Sequence, residues 1–290
     1  MSLLKHRSTL LAFFIFLGTS TVFGQLDPEW LATFGSNSTS STDKGRLICE
    51  DIDGNIIVVG SSFQGSEGEN IVITKIDPLG TPIWHRQFNS SESLHDLPMA
   101  VTTDSTGNIA VTGMARVNSD LSDILTILFD TEGELLWSQQ YGGEASGYDI
   151  PRDIGTDSLG NIYVTGETTI EPGGQKMILI KYDNLGELSW VTHYDEIENN
   201  YGTGISLVVD DRGFIFVATY VSWGSTTQKL LKYSFTGDLL TARELRMSGG
   251  TISKTNMSMC QNEAGDLYIL GAASQGFGVM KAEITCIPQW

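Results

Sequence analysis

A glycine recurs at positions 54, 107, 160, 213 and 265, each time inside the same short phrase. The spacings are 53, 53, 53 and 52 residues (107−54, 160−107, 213−160 and 265−213). The first copy reads Asp51-Ile-Asp-Gly-Asn-Ile-Ile-Val-Val-Gly60. It returns as Asp104-Ser-Thr-Gly-Asn-Ile-Ala-Val-Thr-Gly113 and as Asp157-Ser-Leu-Gly-Asn-Ile-Tyr-Val-Thr-Gly166. A looser fourth copy spans Asp210 to Thr219, and a fifth spans Asn262 to Gly271. An Asp or Asn that bonds its own backbone, followed by a glycine free to take positive φ, is the chemistry of a tight turn. The alternating β-branched run after it suits a strand. So regular a period confines the chain to folds that stack one supersecondary unit on the next.

A second phrase follows each turn. Lys75-Ile-Asp-Pro-Leu-Gly80 precedes Trp84, Asp130-Thr-Glu-Gly133 precedes Trp137, and Lys181-Tyr-Asp-Asn-Leu-Gly186 precedes Trp190. The fourth copy keeps Lys232 and Gly237 but has Ser234 and Thr241, and the fifth keeps Lys281 and Trp290. Each unit therefore reads as four strands with a tryptophan on the last. The expected fold is all-β: a β-propeller of four-stranded antiparallel blades, built from five repeats at about 43–95, 96–148, 149–201, 202–253 and 254–290. Four short strands per period suit blades packed around an axis rather than a sandwich. Trp84, Trp137, Trp190 and Trp30 are expected between blades, because a rigid apolar ring at one repeating slot is what such a seam needs.

These residues resemble the bacterial SBBP β-propeller repeat family. The resemblance rests on Asp-x-x-Gly-Asn-Ile-Tyr-Val-Thr-Gly, then Lys-Tyr-Asp-x-x-Gly-x-x-x-Trp, and on Tyr141-Gly142-Gly143 after the second tryptophan. It runs from about Trp30 to Trp290 and is strongest in the first three copies. It implies a propeller fold and an extracellular setting, and it carries over no catalytic residue.

The first 24 residues differ from the rest. Lys5, His6 and Arg7 precede an apolar run from Leu10 to Leu17, and Val22 and Gly24 fit the small positions before a cleavage site. Residues 1–24 read as a signal peptide and 25–290 as the propeller domain. The apolar run is short for a membrane span, and none follows it. Residues 30–35 look like an orphan outer strand, which would complete the last blade and close the ring. Against this, the chain stops at Trp290, where the last blade's own fourth strand should begin. A truncated piece of a longer surface protein is therefore the competing expectation.

Charge narrows the partners. Removing Lys5 and Arg7 leaves 15 basic against 35 acidic residues, a net charge of −20 (15−35). Such a surface repels phosphate backbones, so no nucleic-acid partner is expected. Of the three cysteines, Cys49 and Cys260 lie on first strands, and their pairing is left open.

Strand 2–3 loops and inter-blade connections share one face of a propeller, where irregular segments carry function. Here they are Ser61–Asn70, Met114–Ser122, Glu167–Lys176, Tyr220–Gln228 and Ala272–Gly276, with connections at 141–149 and 194–204. Tyr148, Tyr201, Trp223 and Glu167 are the candidate binding residues, since aromatics beside carboxylates suit sugar rings. No catalytic set, metal site or cofactor is expected. Asp51-x-Asp53-Gly-Asn55 matches the start of a calcium loop, but Ser62 stands where its last ligand should be, and a turn accounts for every copy. The leading expectation is a secreted or cell-surface monomer that binds a glycan, peptide or surface partner. The alternatives are a polysaccharide hydrolase or lyase using carboxylates at the central channel, and a spacer repeat of a longer protein.

Overall fold

The structure is a computed structural model that describes residues 29–31, 42–63, 65, 68–90, 94–118, 121–170, 174–194, 201–223, 225–245, 252–273 and 276–282. It contains two compact units, Met1–Leu31 and Ala32–Trp290. In the first, the described residues 29–31 hold no strand. The expected outer strand at 30–35 thus lies largely outside the described residues, as do the signal-peptide segment, Cys286 and Trp290.

The second unit is all-β. Among the described residues it holds nineteen strands and no helix, and no helix is long and apolar enough to cross a membrane. The first repeat forms β1 (Asp43–Glu50), β2 (Ile56–Phe63), β3 (Glu69–Ile76) and β4 (Pro82–Phe88). The second forms β5 (His95–Thr103), β6 (Ile109–Arg116), β7 (Ser122–Phe129) and β8 (Leu135–Tyr141). The third forms β9 (Ile150–Thr156), β10 (Ile162–Ile170), β11 (Gly174–Tyr182) and β12 (Leu188–Tyr194). The fourth forms β13 (Tyr201–Val209), β14 (Ile215–Trp223), β15 (Ser225–Tyr233) and β16 (Leu239–Glu244). The fifth shows β17 (Ile252–Gln261), β18 (Leu267–Ala273) and β19 (Gly276–Ala282). Within each repeat the strands pair antiparallel in chain order. A single parallel pair, Glu69 with His95, joins the first two sheets, and Ser122 with Tyr148 repeats it one period later.

The turns set this register locally. Asp51 Oδ1 accepts the amides of Asp53 and Asn55, each at 2.9 Å. Asp104, Asp157 and Asp210 do the same in the next three repeats. The strands run further than the sequence suggested. Glu167, Tyr220 and Trp223 are strand residues, not loop residues, because β10–β11 stays in register to Ile170–Gly174 and β14–β15 to Trp223–Ser225.

The core lies between the sheets. Ile57, Val59, Ile71 and Ile73 of the first repeat pack against Ile109, Val111, Leu125 and Ile127 of the second. Three more clusters follow at the later seams. The first three seams are also pinned from the rim. The Trp84 indole N–H donates to the Thr131 carbonyl at 3.0 Å, Trp137 to Asn184 at 3.3 Å, and Trp190 to Phe235 at 3.2 Å. The indole of Trp84 lies so close under Gly133 that a Cβ there would stand 2.9 Å from the ring. Lys75 also reaches the Thr131 carbonyl, at 3.2 Å. Trp30 is 39% exposed.

Candidate functional site

The first strand of every repeat contributes to one shared cavity of about 300 Å³. Its lining comes from Leu47 and Ile48 on β1, Met99 to Val101 on β5, Arg152 and Asp153 on β9, Ile205 and Ser206 on β13, and Met257 and Ser258 on β17. The repeat explains this: seven residues before the turn glycine stand Leu47, Ala100, Asp153, Ser206 and Ser258. Equivalent positions on side-by-side inner strands face a common axis. Arg152 and Asp153 are the charged members of this lining.

Asp153 is fixed across the seam. It accepts the Leu207 amide at 2.7 Å and the Ser206 hydroxyl at 3.0 Å, and Ser206 Oγ in turn accepts the Met259 amide at 3.1 Å. Burial raises the Asp153 carboxyl above its ordinary value, and the hydrogen bonds from Leu207, Ser206 and Ile154 offset only part of that rise. Arg152 ends in an ion pair with Glu167, Nη2 to Oε1 at 2.7 Å, where the arginine side chain is 39% exposed and the glutamate 8%. Tyr220 completes the group. Burial and the Glu167 charge raise its phenol, while Arg152 opposes them. All three residues stand at the hairpin end of their blades, since Glu167 pairs with Ile150 and Tyr220 with Thr203. The arrangement offers guanidinium N–H donors, a carboxylate acceptor, serine hydroxyls and a neutral phenol, between apolar strand residues.

Of the residues singled out in the sequence, Glu167 is the one brought into this group. Tyr148 is 39% exposed at the entry to the third repeat, where its carbonyl accepts the Thr169 hydroxyl at 2.9 Å. Tyr201 is 50% exposed and pairs with Ser222 at the start of β13. Trp223 ends β14 opposite Ser225. Asp149, at the end of the 141–149 connection, is buried as a structural pin. It accepts the Gly143 amide at 2.5 Å, the Thr168 hydroxyl at 2.6 Å and the Thr169 amide at 2.9 Å. Asp195, Glu196 and Glu198 lie outside the described residues.

At Asp51, burial works to raise the carboxyl, but Lys75, Asn55 and the amide of Asp53 outweigh it and hold it below the ordinary value. Lys75 Nζ sits 2.8 Å from Asp51 Oδ2, so a calcium ion there would have to displace an ammonium. Cys49 and Cys260 are unpaired, and burial and Asp51 push the Cys49 thiol up to about 11. Arg152, Asp153 and Ser206 escaped the sequence reading. Stacking the five first strands on their turn glycines would have exposed Asp153 as the one charged residue in a slot otherwise held by Leu47, Ala100, Ser206 and Ser258, whereas Arg152 shares its slot with Arg46.

No curated protein matches the sequence. Solved structures do. A Penicillium chrysogenum α-L-arabinanase complexed with arabinobiose superimposes with a TM-score of 0.58 at 11% identity, over 80% of this chain and 76% of that one. A protein of unknown function from Dyadobacter fermentans gives 0.53 at 12% identity, over 82% and 78%. A puromycin hydrolase gives 0.53 at 11% identity, over 82% of this chain but 36% of its own. At such identities the likeness speaks for the fold, and these neighbours are of propeller type. The family model for the SBBP β-propeller repeat matches residues 136–174, from the end of one blade into the β10–β11 hairpin of the next, so the repeat carried there is the SBBP β-propeller repeat.

Proposed function

We propose that the protein is a secreted, monomeric propeller that binds a neutral glycan at the hairpin end of its central channel. The observation that carries this reading is the cavity shared by five first strands, whose charged lining is one arginine and one aspartate. Arg152 is already countered by Glu167, and burial shifts Asp153 toward its neutral form, so the site suits an uncharged ligand rich in hydroxyls even though the chain carries a net charge of −18. Arg152 donates, Asp153 accepts, Ser258 does either, and Met99, Ile205 and Met257 offer apolar surface to a sugar's C–H face. In this reading the repeats close as five blades, with residues 30–35 supplying the outer strand of the last, and residues 1–24 direct secretion.

Calorimetric titration of residues 25–290 with arabino-, xylo- and cello-oligosaccharides tests it. One series should bind, and Arg152→Ala should weaken that binding about tenfold or more, the usual worth of a charged hydrogen bond. Undiminished binding in Arg152→Ala would place the ligand elsewhere.

The raised Asp153 carboxyl, lining the cavity, supports a second reading, in which it serves as a general acid in glycoside cleavage. Release of reducing sugar that disappears in Asp153→Asn would establish it, and absence of turnover on every bound oligosaccharide would leave the protein a binder.

A further inference from the structure

Side chains alternate across a strand, so Glu167 and Thr168 leave β10 on opposite faces. Glu167 meets Arg152 at the channel, whereas Thr168 meets Asp149 beneath a second recess. This recess encloses about 380 Å³ and is walled by Glu144 and Ala145, by Thr169 and Ile170 of β10, by Lys176 of β11 and by His193 of β12. That volume lies within the span of small-molecule sites.

The floor is preorganised. Asp149 is 2% exposed, and its carboxylate is held by three donors, the Thr168 hydroxyl and the amides of Thr169 and Gly143. The β8–β9 connection lies flat on this floor, since a Cβ at Gly147 would collide with Thr169. The preceding repeat makes the contrast. One period earlier, the slots of Lys176 and His193 hold Asp123 and Gln140 (176−53 and 193−53). Those two bond each other, Gln140 Nε2 to Asp123 Oδ2, at 2.8 Å. The third repeat has an ammonium and an imidazole there instead, in a chain whose net charge is −18.

We infer that this recess binds a carboxylated saccharide, with the sugar carboxylate on Lys176 and His193, ring hydroxyls on Glu144 and Thr169, and the ring's C–H face on Ile170 and Ala145. Two cation-forming donors lining one recess from adjacent strands select an anion. The carboxylate and hydroxyl on the other wall select a polyol. A phosphate ester is disfavoured, because its greater negative charge would sit near Glu144 and over buried Asp149. Those same carboxylates, together with burial, already raise the phenol of nearby Tyr141. The inference does not depend on the channel site.

The test is binding of galacturonic acid, galactose and galactose 6-phosphate to residues 25–290, followed by calorimetry and by chemical-shift perturbation. Galacturonic acid should bind, and galactose should bind about tenfold or more weakly, for loss of a charge-assisted bond. Lys176→Ala and His193→Ala should each weaken galacturonate binding by about the same factor, and Lys176→Arg should restore most of it. Arg152→Ala should leave it unchanged, which separates this site from the channel. Equal binding of galactose and galacturonic acid, preference for the phosphate ester, binding by Lys176→Ala at wild-type strength, or no binding to a protein with native circular dichroism would each overturn the inference.

Discussion

Ile154 and Ile48 occupy the same slot, six residues before the turn glycine (160−154 and 54−48). Ile154 is 5% exposed and Ile48 is 69%. Leu207 and Met259, in the same slot of the last two repeats, are 6% and 9% exposed. The opposite face shows the same contrast at the far end of the array. Five residues after the glycine, Val59, Thr112, Thr165 and Ala218 are fully buried, whereas Leu270 is 43% exposed. The side chains are alike and their neighbours differ. Each sheet presents an apolar face on both sides, and a blade is stable in proportion to the seams it shares. Four seams are filled among the described residues, whereas Ile48 before the first blade and Leu270 after the last stay exposed there.

The largest effects should come from the filled seams. Trp84 is 9% exposed, donates to Thr131 and lies under Gly133. Trp84→Ala should cost about 3–5 kcal/mol in urea unfolding, as truncation of a buried aromatic does. A loss below about 1 kcal/mol would mean that the rim contributes little to the seam.

Next is the Lys75–Asp51 pair, nearly buried at 2.8 Å in the first blade. The second blade has Leu128 in the lysine's place, opposite Asp104. Lys75→Leu should cost about 3 kcal/mol at neutral pH, because it leaves a buried carboxylate unpaired. The sign with pH follows from the lowered Asp51 carboxyl. Its contribution is present above the unfolded value near 4 and is lost as pH falls through the lower folded value. The gap between wild type and Lys75→Leu should therefore narrow in acid. A gap that stays constant down to about pH 2 would remove the ion pair as its cause.

The open face gives the sharpest comparison. Ile154→Ala should cost about 2–4 kcal/mol. The five-bladed closure proposed above covers Ile48 with the last blade, so Ile48→Ala should then cost about 2 kcal/mol. A cost within about 0.5 kcal/mol would show an open seam in solution and sink the closure.

How legible all this was in the sequence depends on how local each feature is. The turns could be read because Asp51, Asn55 and Gly54 settle their bonds within a few residues. The all-β, four-stranded unit could be read because that turn recurs at a fixed period. The hairpin ends could not. Glu167 and Trp223 look like loop residues, yet pairing in register carries the strands through them, and a partner strand's register is not written in local composition. Arg152 and Asp153 were hidden for a further reason. Their chemistry appears only when five first strands, each about 53 residues from the next, converge on one cavity.

The smallest effect tests the seam from inside the channel. Ser206 donates to Asp153 at 3.0 Å and accepts from the Met259 amide at 3.1 Å, so one hydroxyl joins three consecutive blades. Ser206→Ala should cost about 1 kcal/mol at neutral pH, the usual worth of such bonds. Its pH dependence differs in origin from that of Lys75→Leu. Asp153 is raised, so the fold favours its protonated form, and the cost of ionising it grows as pH climbs from the unfolded value near 4 through the folded one. Without the serine hydroxyl the carboxylate keeps the Leu207 amide but loses a donor, and its folded value should move further up. The Ser206→Ala penalty should therefore be larger at pH 7 than at pH 3. Asp153→Asn, which cannot ionise, should abolish that difference. If the penalty is the same at both pH values, the serine acts through Met259 alone, and the Asp153 carboxylate is held by the Leu207 amide without its help.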